Sequence, residues 1–262
     1  MSNNIFNSKR FSLLFKQHFI QNAQLLLLST VAYVGIIFIV LTIAQVGDNL
    51  APHGLNTFQA FLIVFVSVFG ILYAGHAFPA FRSKESTIAY LMLPASALEK
   101  FVFEFVSRIV IILLLLPLLY WVTFNLQGYF FQIFTESVFD PIGIQYVVRI
   151  GDGPSDDMFQ IYSVVVAGIL FVLSLAFTGS AMFEKQPLVK SLFAVAVIVM
   201  FFVGYSYIVV EHLGVGKYQP PEQMILIPMD EFSVFKFISV ALFAGTAVML
   251  FVAFRKLKER EV

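Results

Sequence analysis

Six runs of this chain contain no Asp, Glu, Lys, Arg or His: Ala23–Val46, Leu55–Gly75, Ile109–Leu126, Phe159–Phe183, Ser191–Val210 and Phe237–Phe254. A helix of about 20 apolar residues crosses a hydrocarbon core about 30 Å thick, and each run is near that length or above it. Inside hydrocarbon only a helix pairs all of its own N–H and C=O groups within one segment. The runs therefore predict an all-α polytopic membrane protein with six spans, at about residues 23–46, 55–75, 104–126, 159–183, 191–210 and 235–254. Charge scarcity agrees. Charged residues make up 12% of the chain, whereas soluble domains carry about a quarter. The first run is too long for the apolar stretch of a cleaved leader, so it is expected to stay as a span. No internal repeat or soluble domain is evident, and residues 1–262 read as one transmembrane domain.

Lysine and arginine fix the expected orientation, because they accumulate in cytoplasmic loops. With the N-terminus inside, the cytoplasmic segments hold Lys9, Arg10, Lys16, Arg82, Lys84, Lys100, Arg108, Lys185, Lys190, Arg255, Lys256, Lys258 and Arg260. The outer segments hold only Arg149, Lys217 and Lys236. Both termini are thus expected inside, with a cytoplasmic loop at 76–103 and outer loops at 127–158 and 211–234.

The 76–103 loop is unusual for so apolar a chain. RSKESTIAYL, from Arg82, reads as a short surface helix, and Pro94 forces a break after it. Ser96 and Glu99 then have the S-x-x-E spacing of a capping box, which predicts a new helix start leading into span three. Near the N-terminus, Phe11, Leu14, Phe15 and Phe19 share one helical face while Lys9, Arg10 and Lys16 lie mostly off it. That pattern predicts an interfacial helix against lipid.

The stretch LMLPASALEKF, Leu91 to Phe101, resembles the LP-x-S-x-x-E-K-F signature of small bacterial ABC-2-type transporter permeases. FRSKESTIAYL before it, and FNSKRFSLLFKQHFIQNAQ at Phe6–Gln24, are similar to the corresponding parts of that family. The resemblance implies a six-span membrane subunit in the bacterial cytoplasmic (inner) membrane, paired with a second permease copy, as a homodimer or a related heterodimer. It implies two cytosolic ABC-type ATPases that bind ATP-Mg and drive an exporter. It further implies a coupling helix between spans two and three that docks on the ATPase, with Arg82, Lys84, Glu85, Ser86 and Thr87 facing it and Glu99 and Lys100 at its flank. In the family the N-terminal interfacial helix lies along the inner leaflet ahead of span one. One departure stands out: the longer outer loop follows span three, where the family usually places its bulkiest outer elements between spans five and six. That leaves open a non-transporting anchor or assembly subunit of a larger envelope complex.

The chain has no G-x-x-x-x-G-K-S/T phosphate loop, no H-E-x-x-H and no cysteine. Its four histidines are scattered, so neither an enzyme nor a metal site is expected, and no cofactor belongs to this chain. Neutral net charge gives no footprint for nucleic acid. The ionisable residues nearest a span centre, Glu104 and Arg108, have i, i+4 spacing and predict an intrahelical ion pair at the inner end of span three. The absence of charge deeper in the spans disfavours an ion-driven carrier and suits an amphipathic substrate.

Overall fold

The structure, a computed structural model, describes residues 6–47, 53–82, 84–92, 95–135, 138–148, 155–183, 185–208 and 231–260. Every regular element among them is a helix. These are α1 (Ser8–Gly47), α2 (Leu55–Ala74), a 3-10 turn (Pro79–Arg82), α3 (Lys84–Leu91), α4 (Ala97–Phe105), a widened π turn (Val106–Val110), α5 (Ile111–Gln132), α6 (Gln145–Val148), α7 (Ser155–Met182), α8 (Pro187–Tyr207) and α9 (Glu231–Arg260). Six helices are long and apolar enough to cross a membrane: Asn22–Gly47, Leu55–Ala74, Ala97–Gln132, Phe159–Met182, Pro187–Tyr205 and Phe235–Glu259. Residues 211–230, most of the second outer loop, lie outside the described residues, as does Pro94.

Two boundaries differ from expectation for clear reasons. The third span starts at Ala97 and continues to Gln132 as α4, the π turn and α5. Apolar and aromatic residues at 127–134 continue the helical pattern after the charge-free core. The N-terminal segment is not a separate interfacial helix, because α1 runs unbroken from Ser8 to Gly47. Its 40 residues span about 60 Å at 1.5 Å per residue, about twice a hydrocarbon core. Turning from the membrane surface into a span needs a break, and no Pro or Gly occurs between Ser8 and Val34 to provide one.

Two apolar clusters stack along the bundle. One joins Tyr33, Ile37 and Leu41 of α1 to Phe58, Leu62 and Phe65 of α2 and to Ile112, Leu116, Tyr120 and Phe124 of α5. The other joins Ala74, Phe78 and Phe81 to Ile109, to Leu173 and Phe177 of α7, and to Ala253 and Leu257 of α9. Ile169 packs against both. Some polar groups are paired between helices: Thr178 donates to the Met249 carbonyl at 2.9 Å, and Ser163 and Ser239 share a bond at 2.9 Å. Gly179 lets α8 approach α7, since a Cβ there would lie 2.3 Å from the Ser191 Cβ.

The start of α1, the α3–α4 connection and the last turns of α9 meet at one end of the bundle. Arg10 contacts Glu99 there, and the Phe101 and Phe254 rings lie 5.4 Å apart. Most of the lysine and arginine of the chain belongs to this basic end.

Candidate functional site

At the basic end, the S-x-x-E signal forms the cap it predicts. The Ser96 hydroxyl accepts from the Glu99 amide at 3.2 Å, and Glu99 Oε2 accepts from the Ser96 amide at 2.8 Å. This satisfies donors that the first helical turn leaves open. Glu99 does more than cap. Its Oε1 accepts from the Asn7 amide at 2.6 Å and lies 3.3 Å from Arg10 Nη2. Asn7 in turn caps α1 by accepting from the Lys9 amide at 3.0 Å. One carboxylate thus joins the start of the first span helix to the start of the third.

A few residues deeper, Glu104 and Arg108 form the expected pair, with Arg108 Nε 3.5 Å from Glu104 Oε2. The Phe78 amide also donates to Glu104. Phe78 has φ of 50°, a left-handed conformation costly for a residue with a Cβ. It is held by burial against Phe81 and Phe177 and by a bond from the Ser180 hydroxyl to the neighbouring Ala77 carbonyl. The Arg108 guanidinium lies over the Tyr73 ring, 4.6 Å from its centre, within the range of a cation–π contact. Arg108 and Ser107 belong to the π turn, an irregularity often found at functional positions. Glu104, Ser107 and Arg108, at i, i+3 and i+4, share one helical face, and all three are buried.

Around these groups is a cavity of about 360 Å³ whose lining includes His18, Asn22, His76, Lys100, Glu104 and Arg108. His18 Nδ1 lies 3.2 Å from Asn22 Nδ2. With the amide as donor, the imidazole accepts at Nδ1 and carries its proton at Nε2. Burial, and then the charge of Arg108, lowers the His18 pKa below its ordinary value of 6.5.

The residues singled out in the sequence divide into groups. Glu85 on α3 is exposed and Thr87 is half-buried, its hydroxyl donating to the Ala80 carbonyl at 3.0 Å. The side chains of Arg82, Lys84 and Ser86 lie outside the described residues. Glu99 and Lys100, expected beside a partner-facing surface, are instead 0% and 2% exposed. Lys100 reaches α3, its Nζ 5.4 Å from the Tyr90 ring centre. Phe11, Phe15 and Phe19 form a ladder of ring contacts, and Phe15 meets Phe103 edge-on at 4.9 Å. Leu14 lines the cavity. That face of α1 therefore packs partly on protein, although Phe19 remains exposed. Sequence reasoning missed Asn7, Phe78 and the placement of His18, since their roles come from tertiary contact alone.

Comparison with family models, with curated proteins and with solved structures finds no match to this chain. Its class therefore rests on its own residues, and the six span-length apolar helices define a multi-pass membrane protein.

Proposed function

We propose that this chain is the membrane-spanning permease subunit of an ABC-2-type transporter, working as an exporter. A second permease copy completes the pathway, and a separate cytosolic ATPase hydrolyses ATP-Mg. The observation that carries the reading is the Glu99 knot, which lies a few residues after α3 in the chain, with Lys100 beside it reaching the Tyr90 ring of α3. The α3 helix, with Glu85 exposed on it, precedes by a few residues a buried carboxylate that ties α1 to the third span. A push on α3 would reach the third span through the Lys100–Tyr90 contact and α1 through Glu99, moving stiff elements between two arrangements. In that reading the basic end faces the cytosol.

The test is affinity purification from native membranes in mild detergent. A stoichiometric partner containing a phosphate-binding loop is expected. Glu85→Lys should reduce its recovery several-fold while leaving the melting midpoint of the membrane subunit within a degree or so, because surface substitutions cost little. Recovery of a stoichiometric partner without such a loop would replace transport with an anchoring role.

A further inference from the structure

The cavity at the basic end does not stand alone. His18 also lines a second cavity, of about 160 Å³, between α1 and the third span. Tyr73 lines the second cavity, and its ring lies under Arg108, which lines the first. The two spaces thus meet at His18 and at the Arg108–Tyr73 stack.

Their chemistry differs sharply. The second cavity is walled by Leu26, Phe69, Ile111, Leu115 and Leu116, together with hydroxyl groups. Four of those hydroxyls donate to carbonyls instead of to the cavity: Ser29 and Thr30 to Leu26 at 2.8 and 2.9 Å, Tyr33 to Leu116 at 3.1 Å, and Ser107 to Glu104 at 3.2 Å. With Tyr73 and His18 at one side, the space a ligand meets is mostly apolar. The first cavity is walled by the cations Lys100 and Arg108, the Nε2–H donor of His18 and one carboxylate, Glu104. That carboxylate is already engaged by Arg108 and the Phe78 amide, and among the described lining residues the cations outnumber it. Exposed residues form part of both walls, Leu25 at the first, Phe19 and Leu115 at the second. The opening is thus sideways, towards the hydrocarbon that surrounds a spanning helix.

We propose that the paired cavities bind one anionic phospholipid, its phosphate beside Lys100, Arg108 and His18 and the first part of one acyl chain between α1 and the third span. A cationic pocket joined to a dry slot, open towards lipid, matches both halves of an amphiphile. A soluble anion would leave the slot empty, and a neutral hydrocarbon would leave the charges unmatched. The site goes beyond the transporter reading and needs neither an ATPase nor transport, so either can fail without the other.

The test uses the full chain, delipidated in neutral detergent and titrated separately with phosphatidylglycerol, phosphatidylcholine and inorganic phosphate. Retained lipid is read by native mass spectrometry, and the melting midpoint is followed alongside. One phosphatidylglycerol per chain is expected, held at least about tenfold more tightly than phosphatidylcholine, with inorganic phosphate giving no stabilisation at equal concentration. Thr30→Phe fills the slot without touching a charge and should weaken phosphatidylglycerol about tenfold. The paired change Glu104→Gln with Arg108→Gln keeps the pair's net neutrality while removing the Arg108 charge and should abolish the preference between the two lipids. If the paired variant does not fold, Thr30→Phe decides. Equal retention of the two lipids by wild type, unchanged affinity in Thr30→Phe, or equal stabilisation by inorganic phosphate would each overturn the proposal.

Discussion

The two ends of the third span solve the same problem with different chemistry. Each must hold an irregular segment against a helix. At the basic end the tie is ionic: Glu99 gathers Asn7, Ser96 and Arg10, and Glu104 gathers Arg108 and the Phe78 amide. At the opposite end it is neutral. Asn125 accepts from the Ile142 amide at 2.9 Å and donates to the Ile142 carbonyl at 3.2 Å, and Trp121 Nε1 donates to that carbonyl at 2.7 Å. Gln127 donates to Gln45 at 2.8 Å, and the Phe139 ring covers Gly128, where a Cβ would lie 2.4 Å from it. A cavity of about 350 Å³ at that end has His53, Asp140 and Tyr146 as its titratable groups and, among the described residues, no lysine or arginine. Neutral amides fix a loop without placing charge beside it, whereas the basic end fastens with ionisable side chains. Anchoring is common to both ends, and responsiveness to charge is confined to one.

The largest expected effect tests whether the ionic tie is the stronger. Glu99→Ala leaves the Asn7 and Ser96 amides without acceptors and Arg10 without its carboxylate. Breaking a buried charged network costs about 3 kcal/mol, so the melting midpoint in detergent should fall by many degrees. Glu99→Gln, which keeps an acceptor, should fall less. A wild-type midpoint in Glu99→Ala would remove the proposed joint between α1 and the third span.

At the neutral end, Asn125→Leu removes both bonds to Ile142 and should cost about 2 kcal/mol. The comparison is sharpened by where the loss appears. Hydrogen exchange should rise in residues 138–148 and stay unchanged in α3 and the start of α4. Equal loosening at both ends would mean that the third span transmits any disturbance along its length, and the two ends would no longer count as separate fastenings.

Much of the frame was legible because its causes are local. The six charge-free runs and the Ser96–Glu99 spacing depend on neighbours in sequence, as does the Glu104–Arg108 pair, and each has its expected form. The continuity of α1 was legible too, had the absence of Pro and Gly been given priority over the amphipathic pattern of its first turns. Other features were not accessible. Whether Thr178 or Asn125 lines a path or fastens an element depends on which segment lies opposite, and here both reach across to another segment. Glu99 looked like a surface charge beside Lys100, and only the return of Asn7 and Arg10 to this point buries it. Sequence spacing marks a cap; it does not reveal what else the cap will hold.

The smallest expected effect concerns His18, which faces Arg108, Lys100, Glu104 and His76 across the cavity. Its pKa is lowered first by burial and then by Arg108, so the folded protein takes up this proton less readily than the unfolded chain. The unfolded imidazole titrates near 6.5. Its contribution to stability should therefore be fully present above that pH, decline as pH falls through it, and level off once folded His18 is also protonated. Comparing melting midpoints at pH 7.5 and 5.5 in wild type and His18→Gln isolates this group, because every other side chain is common to both. Wild type should lose more on acidification than the variant. An identical loss would mean that the cavity does not resist a further positive charge, which would break the contrast between a charge-responsive end and a neutral one.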